Sequence, residues 1–241
     1  MTVRDIMERI STNGASHTLH TGSADANAAG IAVTYTPSLD VLRKAVDRHA
    51  NVIIAREGPY WTKKPDSLAA NPAFTYKRDF IEQHSLAILQ LRDGPQTGLA
   101  EALGWTPPDG VYFQVPASSL GALAKSIESR LKIHAARVIG DPNLPVKKVA
   151  LTHGRMLVPA LQKVLQEPAI DAIIIGEPIE WEAGPYFQDL VASGKKMGLI
   201  AIGLEASEEP NARQVATWLK SFVTGIPIEW LPSGEPFTVL K

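Results

Sequence analysis

The chain repeats one constraining pattern: short, fully apolar runs rich in β-branched residues, each ending abruptly in charge or glycine. Asn51-Val52-Ile53-Ile54-Ala55 is followed by Arg56-Glu57-Gly58-Pro59. Leu86-Ala87-Ile88-Leu89-Gln90-Leu91 is followed by Arg92-Asp93-Gly94-Pro95. Ala172 to Ile175 leads into Gly176-Glu177, and Met197 to Ile202 leads into Gly203. A strand apolar on both sides needs cover on both sheet faces, and helices supply it in parallel α/β folds. Helical spacing of apolar residues recurs between the runs, in Leu39–His49, Tyr76–His84, Met156–Leu165, Pro185–Ala192 and Asn211–Val223. Gly30–Tyr35, the Leu39 helix behind Pro37-Ser38 and the Asn51 run form a β-α-β unit, for which parallel pairing with a right-handed crossover is expected. The fold class is α/β with mostly parallel sheets and flanking helices.

The rest of the chain fills in around this rhythm. Val3–Ile10 reads as a helix stopped by Asn13-Gly14. The polar stretch His17–Asn27 reads as a loop whose His17 and His20 are not metal ligands, and Thr62–Ala73 as another loop. Thr97–Trp105 reads as a helix and Val111–Val115 as a strand. Ser118-Ser119 caps a helix to about Leu131, Lys132–Ile139 is a strand that includes His134, and Gly140–Asn143 is a turn. Val146–Leu151 and Ile226–Leu231 are further strands. Pro107-Pro108-Asp109-Gly110 is the clearest turn cluster, which sets a soft division into interleaved lobes 1–105 and 106–241.

Composition excludes several classes. There is no cysteine, so disulfides, thiolate zinc sites, Cys-held iron–sulfur clusters and a Cys nucleophile are ruled out. The net charge of −1 supplies no basic field for nucleic acid, and the five tryptophans occur singly rather than as a stacking platform. No run approaches the ~20 apolar residues of a membrane span, and MTVRDIMERISTNG lacks the apolar core of a signal peptide. A soluble cytoplasmic protein is the expectation.

The strand ends carry the candidate chemistry. Glu57, Asp93, Glu177 and Glu208 with its neighbour Glu205 all follow apolar runs, and parallel strands would gather these ends on one edge. Clustered carboxylates suit a hard divalent cation or general acid/base work; from the residues alone, separate surface ion pairs or helix caps are the simpler account. His153, in Leu151-Thr152-His153-Gly154, is either a base or a hydrogen-bonded turn residue. A GxxxxGK[ST] phosphate loop, a GxGxxG after a strand, a GxSxG elbow and an HExxH helix are all missing.

Taken together, Ala29–Tyr35, Leu39–Val46, Asn51–Trp61, Arg137–Pro142, Gly176–Trp181, Gly203–Glu209 with the Ala212–Leu219 helix, and Ile228–Phe237 resemble the Nif-three-like (NIF3/DUF34) family of dinuclear-metal-centre proteins, in a short form without an inserted domain. The resemblance implies two similar α/β lobes, a homo-oligomer that is often a hexameric ring, and a pair of divalent metals. It implies ligands from a His-His or His-Glu pair after the second strand, an Asp after the third, and a His with a Glu four residues later near the C-terminus. It also brings a GTP cyclohydrolase type label and a loosely defined hydrolase-like activity.

At the matched positions stand Arg56-Glu57, Asp93, Leu204 and Glu208, so no imidazole remains and three carboxylates do. Glu57, Asp93 and Glu208 are the candidate metal ligands, Arg56, Arg92 and Leu204 the candidate cleft residues, and Glu177 and His153 the candidate catalytic residues. A carboxylate remnant favours Mg²⁺ or Mn²⁺ over zinc, and a metal need not bind at all. Arg56 is expected to substitute for one metal, clamped by Asp93, Glu208 or both; such a contact at ~4 Å and an effective dielectric of ~20 is worth about 4 kcal/mol before desolvation. Three functions follow as expectations: a ligand-binding or scaffold protein with a degenerate metal centre and little catalysis; a single-metal hydrolase of nucleotides or phosphoesters; or a protein-interaction adaptor. The small-molecule ligand is unspecified, and neither nucleic acid nor membrane is expected as a partner.

Overall fold

Residues 1–62, 65–106, 110–166 and 170–240 are described by the computed structural model. In chain order the N-terminal part has α1 (Val3–Thr12), β1 (His17–Thr21), β2 (Ile31–Thr34), α2 (Leu39–Asp47), β3 (Val52–Ala55), α3 (Pro72–Gln83) and β4 (Ala87–Leu91). The middle has α4 (Gly98–Ala102), β5 (Tyr112–Ser119), α5 (Leu120–Leu131), β6 (Arg137–Ile139) and β7 (Pro145–Leu151). The remainder has β8 (Arg155–Met156), α6 (Val158–Val164), β9 (Ala172–Ile175), β10 (Glu177–Pro178), α7 (Glu180–Ala192), β11 (Gly198–Ala201), α8 (Leu204–Lys220) and β12 (Ile228–Trp230).

The chain forms two compact units. The first comprises 1–96 and 211–233, the second 97–210 and 234–241. The expected division at 105/106 falls further along the chain than this one, and the turn cluster that set it lies at 107–109, outside the described residues.

The first unit holds a five-stranded sheet in the order β1-β4-β3-β2-β12. Its central strands pair in parallel, Ile31 beside Val52 and Val52 beside Ala87. Alternate residues of each run face opposite layers. Val33, Ile54 and Leu89 pack under Ile6 and Ile10 of α1 and Leu219 of α8. Ala32, Ile53 and Ile88 pack under Leu42 of α2 and Ile81 of α3. Ser38 caps α2 and Asn71 caps α3, which starts earlier than the apolar spacing indicated because Pro72 suits a first helical position.

The stretch expected to be a loop around His17 and His20 is instead β1, an antiparallel edge strand on β4 with a register shift between Leu19 and Thr21. Its burial alternates, so a polar sequence with only Leu19 as a large apolar residue suffices for an edge.

The second unit repeats the plan in a sheet ordered β5-β7-β9-β11-β6, with β7, β9 and β11 parallel and both edges antiparallel. Leu120, Leu123 and Ile127 of α5 cover Val149, Ile174 and Ile200 on one face. Leu161 of α6 and Phe187 of α7 cover Ala150, Ile173 and Leu199 on the other.

Three expectations change here. His134 lies outside any strand, because Lys132 adopts a left-handed conformation (φ 58°) that ends α5 and leaves only Arg137–Ile139 to pair. Helix α7 begins at Glu180 and carries Pro185 inside it. Helix α8 begins at Leu204 and carries Pro210 inside it, so Glu205 and Glu208 belong to its first turns rather than to a strand-end loop.

Candidate functional site

In the second unit the parallel strands β7, β9 and β11 deliver Thr152-His153-Gly154, Gly176-Glu177 and Gly203 to one edge. Backbone bonds tie these ends together: Glu177 N–H to the Gly154 carbonyl at 2.9 Å, and Gly203 N–H to the Gly176 carbonyl at 3.0 Å. Helix α8 then starts directly, and its first turn drops Ser207 and Glu208 onto the same edge. Ser207 is fully buried; its hydroxyl takes the Gly154 N–H at 2.9 Å and donates to the Leu204 carbonyl at 2.7 Å. A Cβ on Gly176 would lie 2.3 Å from Ser207 Oγ and 2.4 Å from the Gly154 carbonyl, so the packing requires glycine there.

Glu208 is 8% exposed, and its Oε1 lies 2.9 Å from Nδ1 of His153. A carboxylate accepts, so this contact favours a proton on Nδ1 and directs Nε2 away from Glu208. Gly154, at φ +70°, allows this approach, since a Cβ there would come within 2.8 Å of Glu208 Oε1. Glu205 is partly buried, and that burial, with Glu177 and Glu235 adding to it, raises its carboxyl above the usual range. Glu235 in turn accepts from the His134 backbone N–H at 3.0 Å and from its ring Nδ1.

In the first unit β3 and β4 end side by side at Arg56-Glu57 and Arg92-Asp93. The Arg56 guanidinium donates to the Arg92 carbonyl, and the Arg56 carbonyl accepts from Gln90 Nε2 at 3.0 Å. Gln90 Oε1 is 2.9 Å from His20 Nε2. Asp93 accepts from the Ser16 hydroxyl, while Glu57 is exposed and its N–H binds the Tyr35 carbonyl.

The expected clamp of Arg56 by Asp93 is therefore not formed: a neighbouring main-chain carbonyl takes the guanidinium, and a serine takes the acid. Glu208, the other expected clamp, is held by His153 of its own unit.

The structure thus brings His153, Glu208, Glu177 and Leu204 into one neighbourhood, and Arg56 and Arg92 into another. Among the described residues, no group of three or more His, Asp or Glu is arranged to hold a metal ion. The sequence assigns no role to Ser16, Gln90 and Ser207, and it places His20 in a loop rather than on a strand. The signal for Ser207 was its place between Glu205 and Glu208 at a helix start. For His20 and Gln90 it was a cross-strand pairing invisible while β1 read as loop.

The sequence model of the Duf34/NIF3 family (NGG1p interacting factor 3) matches residues 5–233, nearly the whole chain. The chain belongs to this family. Solved structures of NIF3-like shape agree over full length. The Staphylococcus aureus hypothetical protein SA1388 superposes with a TM-score of 0.77 at 17% identity, covering 100% of this chain and 99% of that one. The protein ybgI, of unknown function, gives 0.79 at 19% identity, covering 98% and 100%. A Bacillus cereus protein related to NIF3 gives 0.77 at 14% identity, covering 100% and 99%. At these identities the likeness establishes the α/β fold. No curated protein sequence matches the chain. No described helix is long and apolar enough to cross a membrane.

Proposed function

We propose that this NIF3 family member binds a small anionic ligand, of the phosphate or nucleotide class, at the strand ends of its first unit, and has little or no hydrolase activity. The observation that carries the reading is the pair Arg56 and Arg92. Both are exposed at the ends of adjacent parallel strands, and neither guanidinium has an ion-pair partner among the described residues. Paired guanidinium forks at the end of a parallel sheet are suited to phosphate oxygens.

The dinuclear metal centre implied by the family resemblance does not fit the residues at its matched positions. Arg56 carries a permanent positive charge, Leu204 offers no side-chain donor, and Glu208 Oε1 is engaged by His153. Self-assembly into a homohexameric ring belongs to the same proposal, and light scattering measures it.

The test is calorimetric titration with inorganic pyrophosphate and with GTP, beside elemental analysis after dialysis against Mn²⁺, Zn²⁺ and Mg²⁺. Saturable binding weakened at least about tenfold in Arg56→Gln is expected. Near-stoichiometric metal that is retained on dialysis and lost in Asp93→Ala would overturn the reading.

A second reading is a metal-assisted hydrolase, favoured by the His153–Glu208 pair. Glu208 would orient the imidazole, Nε2 would take a proton from an attacking water, and Glu177 would relay it outward. Turnover of a nucleotide or phosphoester that is stimulated by Mn²⁺ and abolished in His153→Ala supports it.

A further inference from the structure

A groove of roughly 620 Å³ lies within the second unit, between the outer edge of β5, one face of α5 and residues 103–106. That volume is within the range of small-molecule sites. Its walls are mixed, with an apolar floor and Thr106, Gln114, Ser118, Ser126 and Arg130 among the lining residues. Phe113, Leu123 and Ile127 are buried beneath it, and the Trp105 ring meets the Phe113 ring at 5.6 Å and 44°. Ala122 and Ser126, four residues apart on α5, are small, and this keeps the space open.

Two polar groups in the groove are unspent. Arg130 lies along one wall, with Nη1 over Gly104; a Cβ at that glycine, which has φ +70°, would lie 2.9 Å from it. No hydrogen bond or ion pair is formed by the Arg130 guanidinium among the described residues. Ser118 Oγ, further along the groove, is buried without a hydrogen-bond partner. Buried hydroxyls are ordinarily partnered, and an orphaned one marks a place where a ligand atom or water completes the set.

The occupant's chemistry follows from these features. A flat apolar body suits the Trp105–Phe113 wall and the α5 face. One negative charge suits the single guanidinium fork. An added peptide strand is disfavoured, because β5 loses register on β7 between Gln114 and Ser118 and carries Pro116, which has no N–H to offer. We propose that this groove is a binding site for a small aromatic carboxylate, with the carboxylate on Arg130 and the ring on Trp105 and Phe113.

The experiment is calorimetric titration of the full chain with 1-naphthoate, against uncharged 1-naphthalenemethanol, with light scattering on the same samples. Saturable binding of naphthoate near one per chain is expected, weaker by about tenfold for the alcohol and in Arg130→Gln, and lost in Ser126→Trp, which fills the groove. Arg130 and Ser126 are exposed, and unchanged thermal unfolding of both variants verifies their fold. Arg56→Gln serves as a control and should bind naphthoate normally. The proposal is overturned if naphthoate fails to bind, if it binds equally well to both groove variants, or if Ser126→Trp lowers the assembly mass, which would assign the groove to a second copy of the chain.

Discussion

Oε1 of Glu208 sits 2.9 Å from Nδ1 of His153, joining the first turns of α8 to the end of β7. The pair lies at the strand edge of the second unit. Because the carboxylate is almost fully buried, removing it leaves a histidine nitrogen without its acceptor. Glu208→Ala is expected to lower stability by about 1.5–3 kcal/mol, and Glu208→Gln by less, since the amide oxygen still accepts. Urea unfolding of both variants measures the difference; equal losses would mean that packing rather than the hydrogen bond matters.

The same edge is intolerant of side-chain volume at one backbone position. Gly176→Ala would press a methyl group against Ser207 Oγ and the Gly154 carbonyl, neither of which lies at the end of a flexible chain. A loss of about 3 kcal/mol is expected. Gly184→Ala is the comparison: it lies within α7 with open space beyond its chain neighbours, but the ring of Pro185 disfavours a helical Cβ just before it, so the helix-propensity gain is offset and a change within about 1 kcal/mol is expected. Thermal unfolding should show the larger loss in Gly176→Ala.

Lys77 occupies the buried face of α3, between Phe74 and Ile81, and is only 4% exposed. Its contact with an aromatic group is the Trp61 ring, 5.6 Å from Nζ. Burial pushes its amine down to about 8 from an ordinary 10.5. Between these two values the unfolded chain holds more protons than the folded one, so this group makes stability rise with pH across that window. Below it the full penalty applies, about 3 kcal/mol less whatever the Trp61 contact returns. Lys77→Met is therefore expected to stabilise the protein at pH 7 and to give a much smaller gain near pH 10.5. Denaturant midpoints at the two pH values decide this, and an equal gain at both would contradict it.

Lys132 ends α5 at φ 58°, in the left-handed region that favours glycine. The side chain is exposed, so Lys132→Gly removes a backbone penalty and little else. A gain of about 1 kcal/mol is expected from calorimetric melting.

The parallel strands were legible because burial on both faces leaves no other residue choice: Val52–Ala55 and Ala172–Ile175 form strands where their composition placed them. Edges and helix starts were harder. In β1, His17, Thr18, His20 and Thr21 surround a single leucine, and what makes them a strand is the hydrogen-bonding edge of β4, a tertiary cause absent from local sequence. Helix α8 hid its first turns because Pro210 and the acidic run before it read as a break; proline there is tolerated within a longer helix. The candidate site was legible as residue types at strand ends: Glu57 and Asp93 do lie there, while Glu208 stands in the first turns of α8. Their partners were not: Ser16 and His153 are distant in sequence from Asp93 and Glu208, and only the fold makes them neighbours.

Strand β1 also bears on how this protein survives at high concentration. Without it, β4 would present Ala87-Ile88-Leu89-Gln90-Leu91, an uncharged and strongly β-favouring segment, as an open edge. Such an edge templates pairing between molecules and, on heating, fibrous aggregation. β1 caps it with a five-residue ribbon that is polar except at Leu19 and breaks register before Thr21, a poor surface for another chain to extend. Its weak sequence signature is thus a form of protection, and the histidines and threonines that make the strand hard to recognise are what keep the sheet from growing.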